Sequence, residues 1–201
     1  MRVTVIDYKA GNLTSVLKTL NHLGAETRVT DGDLSLVDSA ERIILPGVGH
    51  FAATSRLDST GLTAAIRAAI ARGVPFLGVC VGMQWLYAAS TEAPQQPGLG
   101  VFAESCTRFP ESREKVPHVG WNSLEPRANS RLLANVEQGE YVYFTHSYKA
   151  PVTADTAAAT HYIEPFAAAV ECNNVYGVQF HPEKSGETGL KILRNFMEMA
   201  G

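Results

Sequence analysis

Residues 75–84 read Pro-Phe-Leu-Gly-Val-Cys-Val-Gly-Met-Gln. An apolar run typical of a buried strand meets Cys80, which lies between Gly78 and Gly82, and a helix-like pattern follows. G-x-C-x-G is the cysteine form of the strained strand-to-helix turn that presents a nucleophile above an α/β sheet. The unpaired N–H groups and the dipole of the helix N-terminus favour a thiolate there. The stretch therefore predicts a nucleophilic Cys80, against the alternative of a buried cysteine beside a tight turn.

Strand and helix signals alternate around this turn in the first half of the chain. Runs rich in Val and Ile predict strands, and apolar residues at helical spacing predict helices. The strands are expected at residues 2–6, 26–30, 42–45 and 74–79, and the helices over residues 13–23 and 62–70. This alternation predicts a three-layer α/β fold, with a mostly parallel central sheet and helices on both faces.

The second half of the chain has a different pattern. Five successive strands with short turns are predicted at residues 101–109, 141–149, 157–162, 167–172 and 175–180, before an amphipathic helix over residues 190–200. Prolines and a glycine predict a loop over residues 92–100. We therefore expect an added mixed or antiparallel sheet region. Because no linker or repeat interrupts the pattern, residues 1–201 are expected to form a single domain.

A candidate base for Cys80 lies far downstream, where residues 177–185 read Gly-Val-Gln-Phe-His-Pro-Glu-Lys-Ser. A cysteine nucleophile needs a base to take its proton, and the base needs an acceptor that orients it. Pro182 prevents a regular strand from continuing, so His181 and Glu183 are expected on a loop at a strand end. A lone histidine is more often structural, but together with the turn at Cys80 it is interpreted as catalytic.

A third segment, residues 42–51, reads Arg-Ile-Ile-Leu-Pro-Gly-Val-Gly-His-Phe. It predicts a short strand that ends in a glycine-rich turn, where the backbone can direct N–H groups at a ligand. Alone, Pro-Gly-x-Gly is usually only a turn. Beside a nucleophilic cysteine, it is a candidate second donor to an oxyanion.

These three segments, in this order and at this spacing, resemble the class I (triad) glutamine amidotransferases, which hydrolyse glutamine and pass the ammonia to a synthase. The resemblance implies that Cys80 is the nucleophile, His181 the general base and acid, and Glu183 the residue that orients His181. It implies oxyanion donors at Val48, Gly49 and Val81. It implies a glutamine pocket formed by Gly49, Gln84, His146, Ser147 and Tyr148, with no cofactor and no metal.

Two further segments resemble one subfamily, the glutaminase subunits of imidazole glycerol phosphate synthase. They are residues 5–15, Val-Ile-Asp-Tyr-Lys-Ala-Gly-Asn-Leu-Thr-Ser, and residues 115–122, Lys-Val-Pro-His-Val-Gly-Trp-Asn; Lys9 departs from the glycine that is common there. The resemblance implies a heterodimer with a cyclase subunit, which uses the channelled ammonia to make imidazole glycerol phosphate and AICAR in histidine biosynthesis. The implied interface or channel candidates are Asn12, Lys115, Pro117, His118, Trp121, Asn122, Tyr143 and Lys184.

Three alternatives remain at this point. The chain could be the glutaminase subunit of another synthase, such as anthranilate or aminodeoxychorismate synthase, although those lack the two subfamily segments. It could be a cysteine peptidase or glyoxalase of the same general fold, which the His-Pro-Glu placement disfavours. It could also be an inactive binding module, which the complete Cys80, His181 and Glu183 set disfavours.

Composition excludes some classes of function. The 201 residues carry a formal net charge of −3, which gives no reason to expect nucleic acid or a membrane surface as a partner. Three widely spaced cysteines favour a reducing compartment, and Cys106 and Cys172 are interpreted as structural. No Cys or His cluster indicates zinc. The N-terminus does not resemble a signal peptide, so a cytoplasmic location is expected.

Overall fold

The computed structural model describes residues 1–9 and 13–199. Within them, the strands are β1 (Arg2–Ile6), β2 (Glu26–Thr30), β3 (Ile43–Gly47), β4 (Phe76–Cys80), β5 (Tyr87–Ser90), β6 (Phe102–Arg108), β7 (His118–Ser123), β8 (Glu125–Pro126), β9 (Tyr141–His146), β10 (Tyr148–Lys149), β11 (Thr156–Tyr162), β12 (Glu164–Cys172) and β13 (Val175–Val178). The helices are α1 (Leu13–His22), α2 (Leu34–Asp38), α3 (Ser55–Ser59), α4 (Leu62–Ala71), α5 (Val81–Gln84) and α6 (Gly186–Glu198). Short 3-10 turns cover Phe51–Thr54 and Pro182–Lys184.

The largest sheet has the strand order β2-β1-β3-β4-β13-β12-β11-β8. Its first five strands run parallel, and the last three are added antiparallel. The two smaller sheets are β10-β6-β5 and the antiparallel pair β7-β9. The predicted α/β class with an added mixed region is therefore confirmed. The core follows the central strands, where Ile44, Leu77 and Val178 are fully buried.

Several elements differ from the sequence-based expectation. The strand expected over residues 141–149 breaks at Ser147 into β9 and β10, which join different sheets. The last helix begins at Gly186 and not at Leu190. The pattern missed β5 and β7, because β5 has only four residues and β7 contains Gly120 and polar residues in place of a β-branched run.

The ends of three parallel strands place the three predicted segments side by side. Gly47 at the end of β3 pairs with Cys80 at the end of β4, and Val178 of β13 pairs with Val79. Parallel strands end at the same edge of a sheet, which is where α/β proteins place their sites. The fold therefore brings the glycine-rich turn, the cysteine and the His181 segment to one edge.

The turn at Cys80 is tight and strained. Cys80 has φ 54° and ψ −108°, a conformation that non-glycine residues rarely adopt. A Cβ at Gly78 would lie 2.4 Å from the carbonyl oxygen of Gly82, and a Cβ at Gly82 would lie 1.9 Å from that of Leu45. Both glycines are therefore required for helix α5 to approach the sheet this closely.

Replacing Gly82 with alanine is expected to destabilise the fold by about 1–3 kcal/mol or more, because the new methyl group collides with rigid backbone. Gly32→Ala is the matched control, since a Cβ there meets nothing within 4 Å. Its effect is expected to stay within about 0.5 kcal/mol. Urea unfolding of both variants measures the difference. Equal stability of the two variants would contradict the proposed close approach.

Candidate active site

The predicted triad forms a buried group at the sheet edge. Cys80 is 3% exposed and His181 is 1% exposed. The Nδ1 atom of His181 lies 2.9 Å from Oε1 of Glu183. A carboxylate only accepts hydrogen bonds, so Nδ1 carries the proton and donates it to Glu183. Among the described residues, Nε2 of His181 has no hydrogen-bond partner. It is therefore free to exchange a proton with a nucleophile or a leaving group.

The surroundings of His181 favour its charged form. Burial opposes protonation, but the interactions with Cys80 and Glu183 outweigh it and raise the pKa of His181 to about 10. The surroundings therefore favour an imidazolium at His181.

The backbone around His181 explains its fixed position. The N–H of His181 donates to the carbonyl of Tyr143 at 2.9 Å, which ties the loop to β9. The Ser185 hydroxyl donates to the His181 carbonyl at 2.6 Å and accepts from the N–H of Tyr143 at 3.0 Å. Pro182 starts the single 3-10 turn that places Glu183 beside the imidazole. The His-Pro-Glu sequence is therefore held by local turn geometry and by one neighbouring strand.

A cavity of about 230 Å³ lies over Cys80. It is lined by Val48, Gly49, Cys80, Val81, Gln84, Glu92, Pro117, Thr145, His146, Ser147 and Tyr148. The five residues that the resemblance assigns to glutamine binding, and the three assigned to the oxyanion, thus lie around one space. Their roles toward a ligand remain predictions.

Two residues at this site were missed from the sequence. Gln179 is fully buried, and its Nε2 donates to Sγ of Cys80 at 3.6 Å. Glu92 lies in a segment predicted only as a loop, but its carboxylate lines the cavity and accepts from the N–H of Phe51 at 2.7 Å. The position of Gln179, two residues before His181, was a usable signal. The sequence carried no such signal for Glu92, because only the fold brings this residue next to residues 49–51.

The candidates for a partner surface occupy different environments. Trp121 is 55% exposed, and its ring lies 6.1 Å from that of Tyr143, over which Nζ of Lys184 lies at 5.9 Å. Lys115 is also exposed.

The other candidates do not share that surface. Pro117 lines the cavity, His118 is buried with 3% exposure, and the Asn122 amide donates to the carbonyl of His161. Asn12 lies outside the described residues. The partner surface can therefore include the side chains of Trp121, Tyr143 and Lys184 but not that of His118.

Comparison with known proteins assigns the family. Residues 4–200 match the family model described as Glutamine amidotransferase class-I. The chain belongs to the class-I glutamine amidotransferase family. It is 43% identical over 200 residues to the imidazole glycerol phosphate synthase subunit HisH of Caldanaerobacter subterraneus, covering 98% of both chains. It is 40% identical to the HisH subunit of Aquifex aeolicus, covering 100% of this chain and 98% of that one.

Solved structures support the same fold. A crystal structure of a glutamine amidotransferase has a TM-score of 0.76 at 20% identity, covering 98% of this chain and 97% of that one. The PurLQS structure from Thermotoga maritima has a TM-score of 0.72 at 22% identity, with the same two coverages. Across the residues that the structure of this amidotransferase describes, no helix is long and apolar enough to cross a membrane.

The reactivity of the three cysteines tests the nucleophile of this amidotransferase. Burial raises the pKa of the Cys106 thiol, and burial with the charge of Asp155 raises that of Cys172. Cys80 alone lies beside a histidine base and the cavity. A glutamine-mimicking electrophile is expected to label Cys80 at least about 100-fold faster than the other two, because the thiolate is the reactive form. Peptide mapping after brief labelling measures this, and equal labelling would contradict the assignment.

Proposed function

We propose that this chain is the glutaminase subunit of imidazole glycerol phosphate synthase. It hydrolyses glutamine at Cys80 and delivers ammonia to a cyclase subunit. The observation that carries the proposal is a cavity over Cys80 together with a buried His181–Glu183 pair that interacts with this cysteine. Similarity of more than 40% over nearly the full length to the named synthase subunits supports the specific reaction. Residues 1–201 act as one domain, and the three unpaired cysteines suit a reducing cytoplasm.

The first half of the reaction forms a thioester. The Cys80 thiolate attacks the δ-carbonyl carbon of glutamine, and the carbonyl π-electrons move to oxygen. The resulting oxyanion is stabilised by the N–H of Val81 at the start of α5 and by N–H groups of the Val48–Gly49 turn. The imidazolium of His181 gives its Nε2 proton to the leaving nitrogen, the C–N bond breaks, and ammonia departs.

The second half restores the enzyme. Neutral His181 takes a proton from water, and the hydroxide equivalent attacks the thioester carbon. The second tetrahedral intermediate collapses, the C–S bond breaks, and glutamate leaves the Cys80 thiolate beside a protonated His181. Glu183 holds the imidazole throughout, with Nδ1–H directed toward its carboxylate.

The pair β7-β9 supplies the proposed docking surface for the cyclase. Register places Trp121 opposite Tyr143 and Val119 opposite Thr145 on its outer face, while His118 and Phe144 face inward. Val119 and Trp121 are 57% and 55% exposed. Tryptophan and tyrosine are enriched at binding hot spots. The surface adjoins the catalytic loop, because Lys184 lies over the Tyr143 ring.

Replacing Trp121 with alanine tests the docking surface. We expect affinity for the cyclase subunit to fall about 10- to 100-fold, since a central exposed tryptophan typically contributes about 2 kcal/mol or more. Val29→Ala, at a similarly exposed apolar residue on β2, is the matched control and should bind normally. Co-purification and titration calorimetry measure the affinity. Equal affinity of both variants would contradict this surface.

The function itself is tested by assaying the wild-type chain with purified synthase partners. Glutamine-dependent formation of imidazole glycerol phosphate is expected with the cyclase subunit. Glutamine-dependent product with the anthranilate or aminodeoxychorismate synthase partner instead would identify a different glutaminase. Absence of glutamate release with every partner would contradict the glutaminase proposal.

A further inference from the structure

Two buried imidazoles lie in contact behind the cavity over Cys80. Nδ1 of His118 is 3.2 Å from Nε2 of His146, and the two residues are 3% and 6% exposed. Nδ1 of His146 lies 2.8 Å from the carbonyl oxygen of Tyr148. The catalytic steps use neither ring. Both nitrogens of His146 are occupied, so any hydrogen bond from this residue to glutamine has to come from its main chain.

Asn122 fixes the hydrogen positions from the outer end of the pair. Its Oδ1 accepts the N–H of Ser123 at 2.8 Å, and its Nδ2 donates to the carbonyl of His161 at 3.0 Å. The amide therefore has one consistent orientation, in which Nδ2 also faces Nε2 of His118 at 3.4 Å. An amide nitrogen only donates, so Nε2 of His118 accepts and its hydrogen lies on Nδ1.

The inner end of the pair requires the same arrangement. The Tyr148 carbonyl only accepts, so Nδ1 of His146 donates to it. Nε2 of neutral His146 then accepts from Nδ1–H of His118. Together, the two ends of the chain select the neutral Nδ1–H form for both rings. Protonating His146 would direct a second N–H at His118 and break the chain.

The Tyr148 carbonyl connects the pair to the nucleophile. Its second lone pair accepts from Nε2 of Gln84 at 3.0 Å. The other N–H of that Gln84 amide donates to Oε1 of Gln179 at 3.0 Å, and Gln179 donates to Sγ of Cys80 at 3.6 Å. The hydrogen-bond chain is therefore continuous from Asn122 on β7 to the sulfur.

We propose that His118 and His146 are positioning residues: a neutral, tautomer-fixed pair that holds the Tyr148 carbonyl and, through Gln84, the Gln179 amide that donates to Cys80. A buried network in which every member is satisfied holds its groups in one arrangement, whereas removing a member leaves a costly unpaired group. The pair therefore acts on the reaction through the orientation of a donor to the thiolate. The expected changes in glutamine hydrolysis rest on the proposed glutaminase function, whereas the expected histidine tautomers do not.

The electrostatics of the site agree with neutral rings. Burial lowers the pKa of His118 to about 4. Burial lowers the pKa of His146 to about 3, although the hydrogen bond to the Tyr148 carbonyl acts in the opposite direction. Both rings are thus neutral at the pH at which a glutaminase works.

The aromatic packing around His118 allows its nitrogens to be removed while a ring is kept in place. Its ring stacks on Tyr162 at 4.0 Å and on Phe144 at 4.9 Å. His118→Phe keeps an aromatic ring in this stack and removes both nitrogens. His118→Gln offers an oxygen to accept from Asn122 and an N–H to donate to His146. His22→Gln, at an exposed histidine at the end of α1, is the control outside the site.

The first test measures the tautomers directly in the wild-type chain. Nitrogen-15 NMR of the histidine side chains at pH 7 is expected to show a protonated Nδ1 and an unprotonated Nε2 for both His118 and His146. An Nε2–H form or a charged ring at either residue would overturn the proposal. This test is independent of turnover, and it holds even if His118→Phe fails to fold.

The second test measures the consequence for the nucleophile. In folded His118→Phe, kcat for glutamine hydrolysis and the rate of Cys80 alkylation are expected to fall about 10-fold, the size expected when one buried acceptor loses its donor. KM for glutamine should change less, and His118→Gln should restore most of both rates. Unchanged rates in His118→Phe, or equal losses in His118→Gln, would overturn the positioning role. A wild-type chain without glutaminase activity would instead contradict the proposed function.

Discussion

Replacing His181 with alanine is expected to abolish glutamine-dependent synthesis by the complex and to leave ammonia-dependent synthesis unchanged. The substitution removes the group that protonates leaving ammonia and activates water, while added ammonia bypasses Cys80 altogether. Losing one member of a catalytic triad typically costs about 10⁴-fold or more in rate. The measurement is product formation by the reconstituted complex with glutamine and, separately, with ammonium chloride at alkaline pH, where free ammonia is available.

Replacing Glu183, which orients His181 in the proposed mechanism, is expected to have a smaller effect than replacing His181 itself. Glu183→Gln keeps an acceptor near Nδ1 of His181 but removes the carboxylate charge that favours the imidazolium. Its loss of glutamine-dependent rate is expected to be smaller than that of His181→Ala. If the His181 variant lost both activities, the loss would point to a folding or assembly defect and not to a glutaminase-specific role.

Binding of the cyclase subunit is expected to raise the rate of glutamine hydrolysis strongly. The isolated chain should be a poor glutaminase, and the complex carrying a substrate analogue at the cyclase site should be about 100- to 1000-fold faster, the usual effect of one oxyanion donor. The physical basis is the turn after β3. Gly49 has φ +95°, in the region that favours glycine, and the neighbouring Val48–Gly49 peptide can rotate to point its N–H toward or away from the oxyanion. Docking would favour the productive orientation.

Glutamate release is measured for the isolated chain, for the complex, and for the complex with the analogue. A stepwise rise across these three states is the expected result. Full activity of the isolated chain would contradict partner control and leave the triad assignment intact. Gly49→Ala should reduce activity in all three states, because alanine disfavours the positive φ. If the Gly49→Ala variant were as active as wild type, a role for that conformation would be contradicted.

The sequence alone determined the features that depend on local pattern. G-x-C-x-G around Cys80 and His-Pro-Glu at residues 181–183 are short stretches in which residue type and backbone geometry are coupled, so the turn and the three candidate triad residues could be predicted from the sequence. The alternating periodicities likewise predicted the parallel half of the sheet, because burial on a helix face or a strand face repeats every few residues.

Only the tertiary structure decided which distant polar residues form the hydrogen-bond chain that reaches Sγ of Cys80. Gln84 and Gln179 are 95 positions apart, and His118 and His146 are 28 apart, yet both pairs are hydrogen-bonded in the interior. Polar residues of this kind carry no periodic signal, because their burial depends on partners supplied by other elements. The sequence therefore predicted the candidate reacting residues, and the packing of β7, β9 and β13 determined which buried polar residues are hydrogen-bonded beside them.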